Sequence, residues 1–329
     1  LDTAEIDRER GVVIEEWRGR LGAGTRMQEP QLKALFGDSR YVNRLPIGTP
    51  EVLKSFPPDR IRQFYRDHYR PGRMAVVVVG DIDPAEIERL ITQHFSSLQA
   101  GGKPRTVYPI PDHTDTRYVS VSDVEAQGSS VSISHKGPLV PLRTAGDYRR
   151  TLVRSLLHQM LNDRFAEISR QPDAPFLRAG SDDDTLGLTV ETTSVSARVN
   201  DGAAPRGLRA LGEEIARVRQ HGFGEAELDR AKRSTIASYE RAYNERSTSE
   251  SGGYASELLR YYLSDEGAPG NEAELALARQ FLPTITAQEI GALGREIFAD
   301  RGRVVIATSP QKAGLAAVTE ATMREALAA

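Results

Sequence analysis

Cysteine is absent from the 329-residue chain, which excludes disulfides, thiolate nucleophiles, Cys-ligated zinc and iron–sulfur clusters. A disulfide-free chain suits the cytosol and the periplasm alike, so this absence leaves the compartment open. A charge excess is missing too. The 43 basic and 46 acidic side chains leave a net charge of −3, too little for a field that gathers polyanions. Neither nucleic acid nor an anionic membrane face is therefore expected as a partner. No apolar run approaches the roughly 18 residues that cross a bilayer; the longest uninterrupted stretch is residues 74–79, and no membrane span is expected. Residues 1–6 carry neither an initiator methionine nor a signal-peptide pattern, so the chain reads as the continuation of a longer polypeptide.

What is present belongs to an ordinary globular protein: 39% hydrophobic and 27% charged residues lie well outside the disordered range. The length suits about two domains, each able to bury its own core. Asp2 and Glu5 have the spacing of a capping box for a helix running to Leu21. Residues 22–50 are rich in turn formers. Ile61, Phe64, Tyr65 and Tyr69 recur at helical spacing over residues 50–69, and Pro71-Gly72 stops that helix. The β-branched run 74–79 predicts a buried strand, and Asp83-Pro84 opens a helix to about Leu98.

Residues 99–114 are Gly, Pro and polar, the best candidate for a linker, and the domain boundary is placed between residues 104 and 105. Beyond it, residues 118–121 and 130–134 alternate as strands. Residues 144–169 form a long amphipathic helix with Leu152, Leu156, Met160 and Phe165 on one side. Strands near 186–193 and 195–200 lead into a helical block over 205–263, so this part is α+β. A repeat is also visible. Pro57, Ile61, Phe64 and Tyr69, followed by residues 73–77 and the helix from Pro84, recur about 230 residues later. The second copy is Thr286, Ile290, Leu293 and Phe298, then residues 303–307 and a helix from Gln311. Two homologous halves follow from that pattern.

Nucleophilic catalysis finds little support. There is no Gly-x-Ser-x-Gly elbow, and no Ser/His/Asp set is singled out by spacing. The glycines at 19, 22 and 24 end a helix instead of joining a strand to one, so they read as a C-cap and loop. Arginines 60, 62, 66, 70 and 73 are interleaved with Asp59, Asp67 and Asp81, the pattern of a solvated helix face. No two of the histidines at 68, 94, 113, 135, 158 and 221 lie within two helical turns of each other. His158 reads as a packed helix residue and His68 as the polar edge of a helix end. One constellation remains. Glu9 and Glu16 are seven residues apart, and seven steps of about 100° fall about 20° short of two turns. Both carboxylates therefore share a face, and Val12 and Val13 beside it predict partial desolvation. A solvated or ion-paired face and a cation site both remain open, with Glu15 as a competing donor to Glu16.

Here the residues resemble a family. Glu9-Arg-x-x-Val-x-x-Glu16 is similar to the helix that carries the third zinc ligand in the M16 (insulinase/pitrilysin, mitochondrial processing peptidase) metallopeptidases. Residues 44–49, Phe64-Tyr65 and residues 69–81 are similar to that family's stretch before and through its last strand. More loosely, the chain to about residue 312, including 162–170, resembles the following domain of the bacterial two-fold-repeated members.

The resemblance implies two homologous α+β domains, each an antiparallel sheet packed by helices. Residues 1–104 would be the C-terminal part of the first, truncated domain, and residues 105–329 the second. It further implies Glu16 as a Zn2+ ligand, preferred to Glu15 because the family spacing is seven, and Glu9 as a carboxylate that orients a ligating imidazole. The family's His-x-x-Glu-His motif should lie roughly seventy to eighty residues before Glu16, and the 329 residues do not contain it. The implied activity is therefore that of a longer zinc metalloendopeptidase acting on peptides or small proteins in a closing chamber. This chain would supply one zinc ligand and a supporting domain, be inactive alone and hold no zinc. Its partners would be a peptide substrate, the missing N-terminal segment and the second half, or a homologous subunit. A non-catalytic M16-like scaffold or partner subunit is the alternative. The bacterial periplasm is preferred to the cytoplasm as compartment.

Overall fold

In the computed structural model, which describes residues 1–101 and 105–328, Asp2 opens the first helix, α1 (Thr3–Gly19), by accepting the Ala4 N–H at 2.7 Å. The reciprocal bond expected from Glu5 is not made; Glu5 pairs instead with Arg8 at 3.1 Å. Residues 22–50 hold a helix, α2 (Ala23–Phe36), where composition pointed to turns. Packing overrides its interior Pro30, because Met27 and Ala34 are buried, the latter against Val304 and Ile306. The single helix expected over 50–69 is divided into α3 (Pro50–Ser55) and α4 (Pro58–His68). A residue before proline is pushed out of the helical region, and Phe56 and Pro57 accordingly have ψ of 135° and 140°. After Asp83, whose side chain accepts the Ala85 N–H, α5 (Pro84–Phe95) forms as expected.

Residues 74–79 depart most from expectation. Their backbone is extended at Met74, yet among the described residues they pair with no strand. Met74, Val76 and Val78 are 43–46% exposed. Local β-propensity sets the conformation, but a strand also needs a neighbour to receive its N–H and C=O groups. The boundary between residues 104 and 105 falls at 102–104, outside the described residues. The later part of the expected linker is not a solvated tether, since Ile110 and His113 are buried.

Strands β1 (Arg117–Asp123) and β2 (Ser129–Pro138) precede α6 (Ala145–Ser169), whose first turn is closed by a capping box of Thr144 and Asp147. A hairpin follows, β3 (Arg178–Leu186) and β4 (Val190–Val199). Strands had been expected at 186–193 and 195–200; the turn lies earlier, at Gly187, whose φ of +60° suits glycine, and residues 190–199 run unbroken. The expected helical block appears as α7 (Ala204–His221), α8 (Glu225–Asn244) and α9 (Ser251–Ser264). Then come α10 (Gly270–Phe281), α11 (Ala287–Ile297), β5 (Arg303–Pro310) and α12 (Glu320–Ala328). The last helix begins at Glu320, not at Gln311.

The five strands are ordered β1-β5-β2-β4-β3. The sheet is mixed, not antiparallel throughout: β1 runs parallel to β5, and the other neighbours are antiparallel. Nearly the whole C-terminal region separates β1 from β5, ample for the crossover that a parallel pair requires. On one face Val131, Ile133, Val195 and Val305 pack with Leu156, Leu157 and Met160 of α6, Leu208 and Leu211 of α7 and Ile290 of α11. On the other face α2 covers Val304 and Ile306. Arg26 of α2 fixes that packing by donating to both Asp123 oxygens at 2.7 and 2.8 Å. The Arg26 guanidinium and the Glu125 N–H hold the Asp123 carboxyl down at about 2.

The N-terminal segment also reaches the hairpin. Tyr41 lies over Gly187, where an added Cβ would come within 2.8 Å of its ring. Gly187→Ala is expected to cost about 1–2 kcal/mol from the left-handed backbone alone, with a further loss from displacing Tyr41. Urea unfolding checks this, and a loss under about 0.5 kcal/mol would show that the turn relaxes freely.

Candidate functional site

The α1 acids come first because the sequence singled them out. Glu9 and Glu16 are both exposed. Glu16 accepts from Arg20 one turn later, and the competing Glu15 pairs with Arg18. The expected desolvation is not found: Val12 is 58% exposed and only Val13 is half-buried, because no described element covers this face. A catalytic zinc takes three protein ligands and a water. Among the described residues no group of three His, Asp or Glu side chains is placed to hold a metal ion, so the residues present do not by themselves fit zinc.

The structure assembles a different polar centre, on the helix-covered face of the sheet. Directly opposed residues share a face, so the register places Asp183 of β3, Thr193 of β4, His135 of β2 and Arg303 of β5 in one row across four strands. Glu191 lies beside them, opposite Gly137. Onto this row α6 lowers Arg154 and His158, one helical turn apart. Arg154 donates from Nε to Asp183 Oδ2 at 2.8 Å and from an Nη to Thr193 Oγ1 at 3.2 Å, and it pairs with Glu191. Thr193 Oγ1 donates to Asp183 at 2.5 Å.

His158 stands between strand neighbours. Its Nδ1 is 2.8 Å from Ser181 Oγ, and its Nε2 lies 3.0 Å from Asp183 Oδ2 but off the hydrogen-bonding direction. Burial raises Asp183, and His158 and Arg154 more than offset it, holding the carboxyl well below the usual range. Glu191 moves the other way, pushed up by burial although Arg154 opposes the shift.

Spacing alone had singled out no Ser/His/Asp set, yet Ser181, His158 and Asp183 meet here. They are a structural tie rather than a nucleophilic triad. Ser181 is 5% exposed, and Asn162 of α6 clamps the strand beside it, accepting the Ser181 N–H at 2.6 Å and donating to its carbonyl at 3.1 Å. No acyl group could reach that hydroxyl. The readable signal was two periodicities facing one another: Arg154 and His158 four apart on a helix, Ser181 and Asp183 two apart on a strand.

This centre forms one wall of a cavity of about 400 Å³, whose opposite wall is Glu289, Leu293 and Ile297 of α11. Beneath it, His135 is 3% exposed, with Nδ1 3.0 Å from the Ala299 carbonyl and Nε2 without a hydrogen-bond partner among the described residues. Burial pushes this imidazole down to about 4. His68, read as a helix edge, ends α4 with Nδ1 2.8 Å from Arg73.

Comparison with known proteins agrees with the sheet-and-helix architecture. The sequence profile of the Peptidase M16 inactive domain matches residues 55–235. A zinc protease PQQL-like protein of Arabidopsis thaliana is 33% identical over 94% of this chain and 30% of its own length. The probable zinc protease PqqL of Escherichia coli strain K12 is 27% identical over 88% of this chain and 31% of its own. The chain thus spans about a third of the length of these curated relatives. Among solved structures, the first half of the periplasmic protease PqqL from Escherichia coli superposes with a TM-score of 0.89 at 23% identity, over 99% of this chain and 70% of that one.

Proposed function

The chain belongs to the M16 peptidase family, and from that membership we propose that it is the supporting part of a longer zinc metalloendopeptidase that hydrolyses peptides or small proteins within a closing chamber. In this reading residues 1–104 are the C-terminal part of a first M16-type domain, and residues 105–329 are a second, homologous one. The exposed, unpaired run 74–79 supports it: an apolar stretch flanked by α4 and α5 is suited to strands supplied by another polypeptide segment. The periplasm is the proposed compartment, after the solved PqqL half.

One observation carries the metal assignment. Glu16 stands in solvent on the face it shares with Glu9, and Arg20 is its partner. An exposed pair of that kind contributes about 0–1 kcal/mol, so the carboxylate is free to turn to a cation completed by ligands from elsewhere in the protein. Glu9, one face and two turns earlier, would orient an imidazole ligand. Zinc would supply polarisation of the scissile carbonyl; this chain's own part is to present one carboxylate on a rigid helix.

In the longer protein, Glu16→Gln is expected to lower bound zinc well below one equivalent and to abolish most peptidase activity, with the melting temperature unchanged. Zinc content equal to wild type would overturn the assignment. The second reading, a non-catalytic M16 scaffold, is favoured by the match to an inactive domain; it predicts no zinc in the longer protein in either form.

A further inference from the structure

Lys136 lies on the sheet face opposite the Arg154 centre, since it alternates with His135 along β2. It is 8% exposed, and its Nζ donates to the Pro111 carbonyl at 2.8 Å. Among the described residues it makes no ion pair with a carboxylate, unusual for a buried ammonium. The backbone around it is fixed on both sides. The Lys136 N–H donates to the Gly302 carbonyl at 3.0 Å, and the Gly302 N–H donates to the His113 carbonyl at 2.8 Å.

Two cavities meet at this residue. The larger, about 400 Å³, and a second of about 230 Å³ share Lys136, Gly137, Pro138 and Arg301 in their walls. Ile110, Pro111 and Val190 make the smaller one largely apolar, and Asp112 stands at its side. The exposed Arg301 guanidinium, like Lys136, makes no ion pair among the described residues. The site thus combines a sequestered primary amine, an apolar pocket and a free cation, the needs of a ligand that carries a carbonyl at one end and an anion at the other.

We infer that Lys136 is a covalent binding site for small anionic aldehydes or ketones, which it holds as an imine while Arg301 pairs with their carboxylate or phosphate. The amine lone pair attacks the carbonyl carbon and a C–N bond forms. The nitrogen then gives up both protons and the carbonyl oxygen leaves as water, so a C=N bond replaces C=O with no redox change. Burial pushes the Lys136 ammonium down to about 8, with Arg117 adding repulsion and Asp112 opposing it. A substantial neutral fraction therefore exists near neutrality, and neutral amine is the nucleophile.

The test uses pyridoxal 5′-phosphate as the anionic aldehyde, at an equimolar dose, with borohydride trapping and peptide mass mapping of the folded chain. At pH 7.5, labelling of Lys136 is expected to run on the order of tenfold faster than that of the exposed Lys54 and Lys312. Its rate should rise through pH 8. Arg301→Ala is expected to slow this labelling several-fold while leaving labelling by butanal, which has no anion, unchanged. Lys136 modified no faster than Lys54 or Lys312 would overturn the imine site. Equal phosphate-aldehyde labelling in wild type and Arg301→Ala would overturn the anion anchor.

Discussion

Replacing Arg154 with methionine is expected to destabilise the chain by about 3–5 kcal/mol. The methionine keeps most of the arginine's apolar stem, so the loss reports the guanidinium. That group is 15% exposed and sits between Asp183, at 24%, and Glu191, at 12%. Without it, two sequestered carboxylates face one another, Asp183 keeping the Thr193 hydroxyl as donor and Glu191 the Val140 N–H at 3.3 Å. Each would be pushed up by burial and by the other, so the deficit should be greatest above about pH 6 and shrink in acid, where both take protons. Adding Asp183→Asn and Glu191→Gln to the variant should restore most of the loss, because neutral amides do not repel. Urea unfolding of the single and triple variants measures both effects. A single-variant loss under about 1 kcal/mol would mean that the cluster is solvated and contributes like a surface pair.

Stability is also expected to fall as the pH drops from 6.5 to about 4, with His135 contributing up to about 3 kcal/mol. In the unfolded chain the imidazole takes its proton near 6.5, while in the folded chain burial delays protonation until about 4. Between those values the unfolded state binds more protons, so acid favours unfolding; above 6.5 both states are neutral and the contribution is complete. Burial also lowers His113, which adds to the slope in the same direction. His135→Gln removes the titration and can still donate to the Ala299 carbonyl. It should flatten the curve between pH 6.5 and 4, leaving the smaller His113 part. An unchanged slope would assign the acid sensitivity elsewhere.

How much of this was legible in the sequence follows the range of the interactions. Asp2 and Asp83 act within a few residues, and both helices they cap begin where the chain indicated. Thr144 and Asp147 likewise closed α6. The hairpin turn was misplaced because Ser194 lies within a strand as polar as a turn, whereas Gly187 marks the true reversal through its backbone angle. The run 74–79 shows the limit from the other side: its six apolar residues favour extension, seen at Met74, but pairing depends on a neighbour the local pattern does not contain.

The candidate site divides in the same way. Glu9 and Glu16 share a face through simple helix periodicity, and the structure places both on the exposed side of α1. Of the Arg154 centre only the two separate periodicities were legible, since Arg154, Asp183 and Glu191 lie on three elements and meet only once β3 and β4 are in register and α6 has docked. Lys136 was equally hidden, because its burial depends on a Pro111 segment that composition described as a linker.

The position of β5 has a consequence for synthesis. Among the strands of this sheet it is the last in chain order, yet it lies between β1 and β2. Until about residue 310 has emerged, those two strands have no bridge, and the edge of β2 not paired with β4 keeps its amides unsatisfied by any strand. The nascent protein cannot complete this sheet piecemeal from the N-terminus. It must wait for β5, and slow, long-range pairing of this kind is where holding chaperones act.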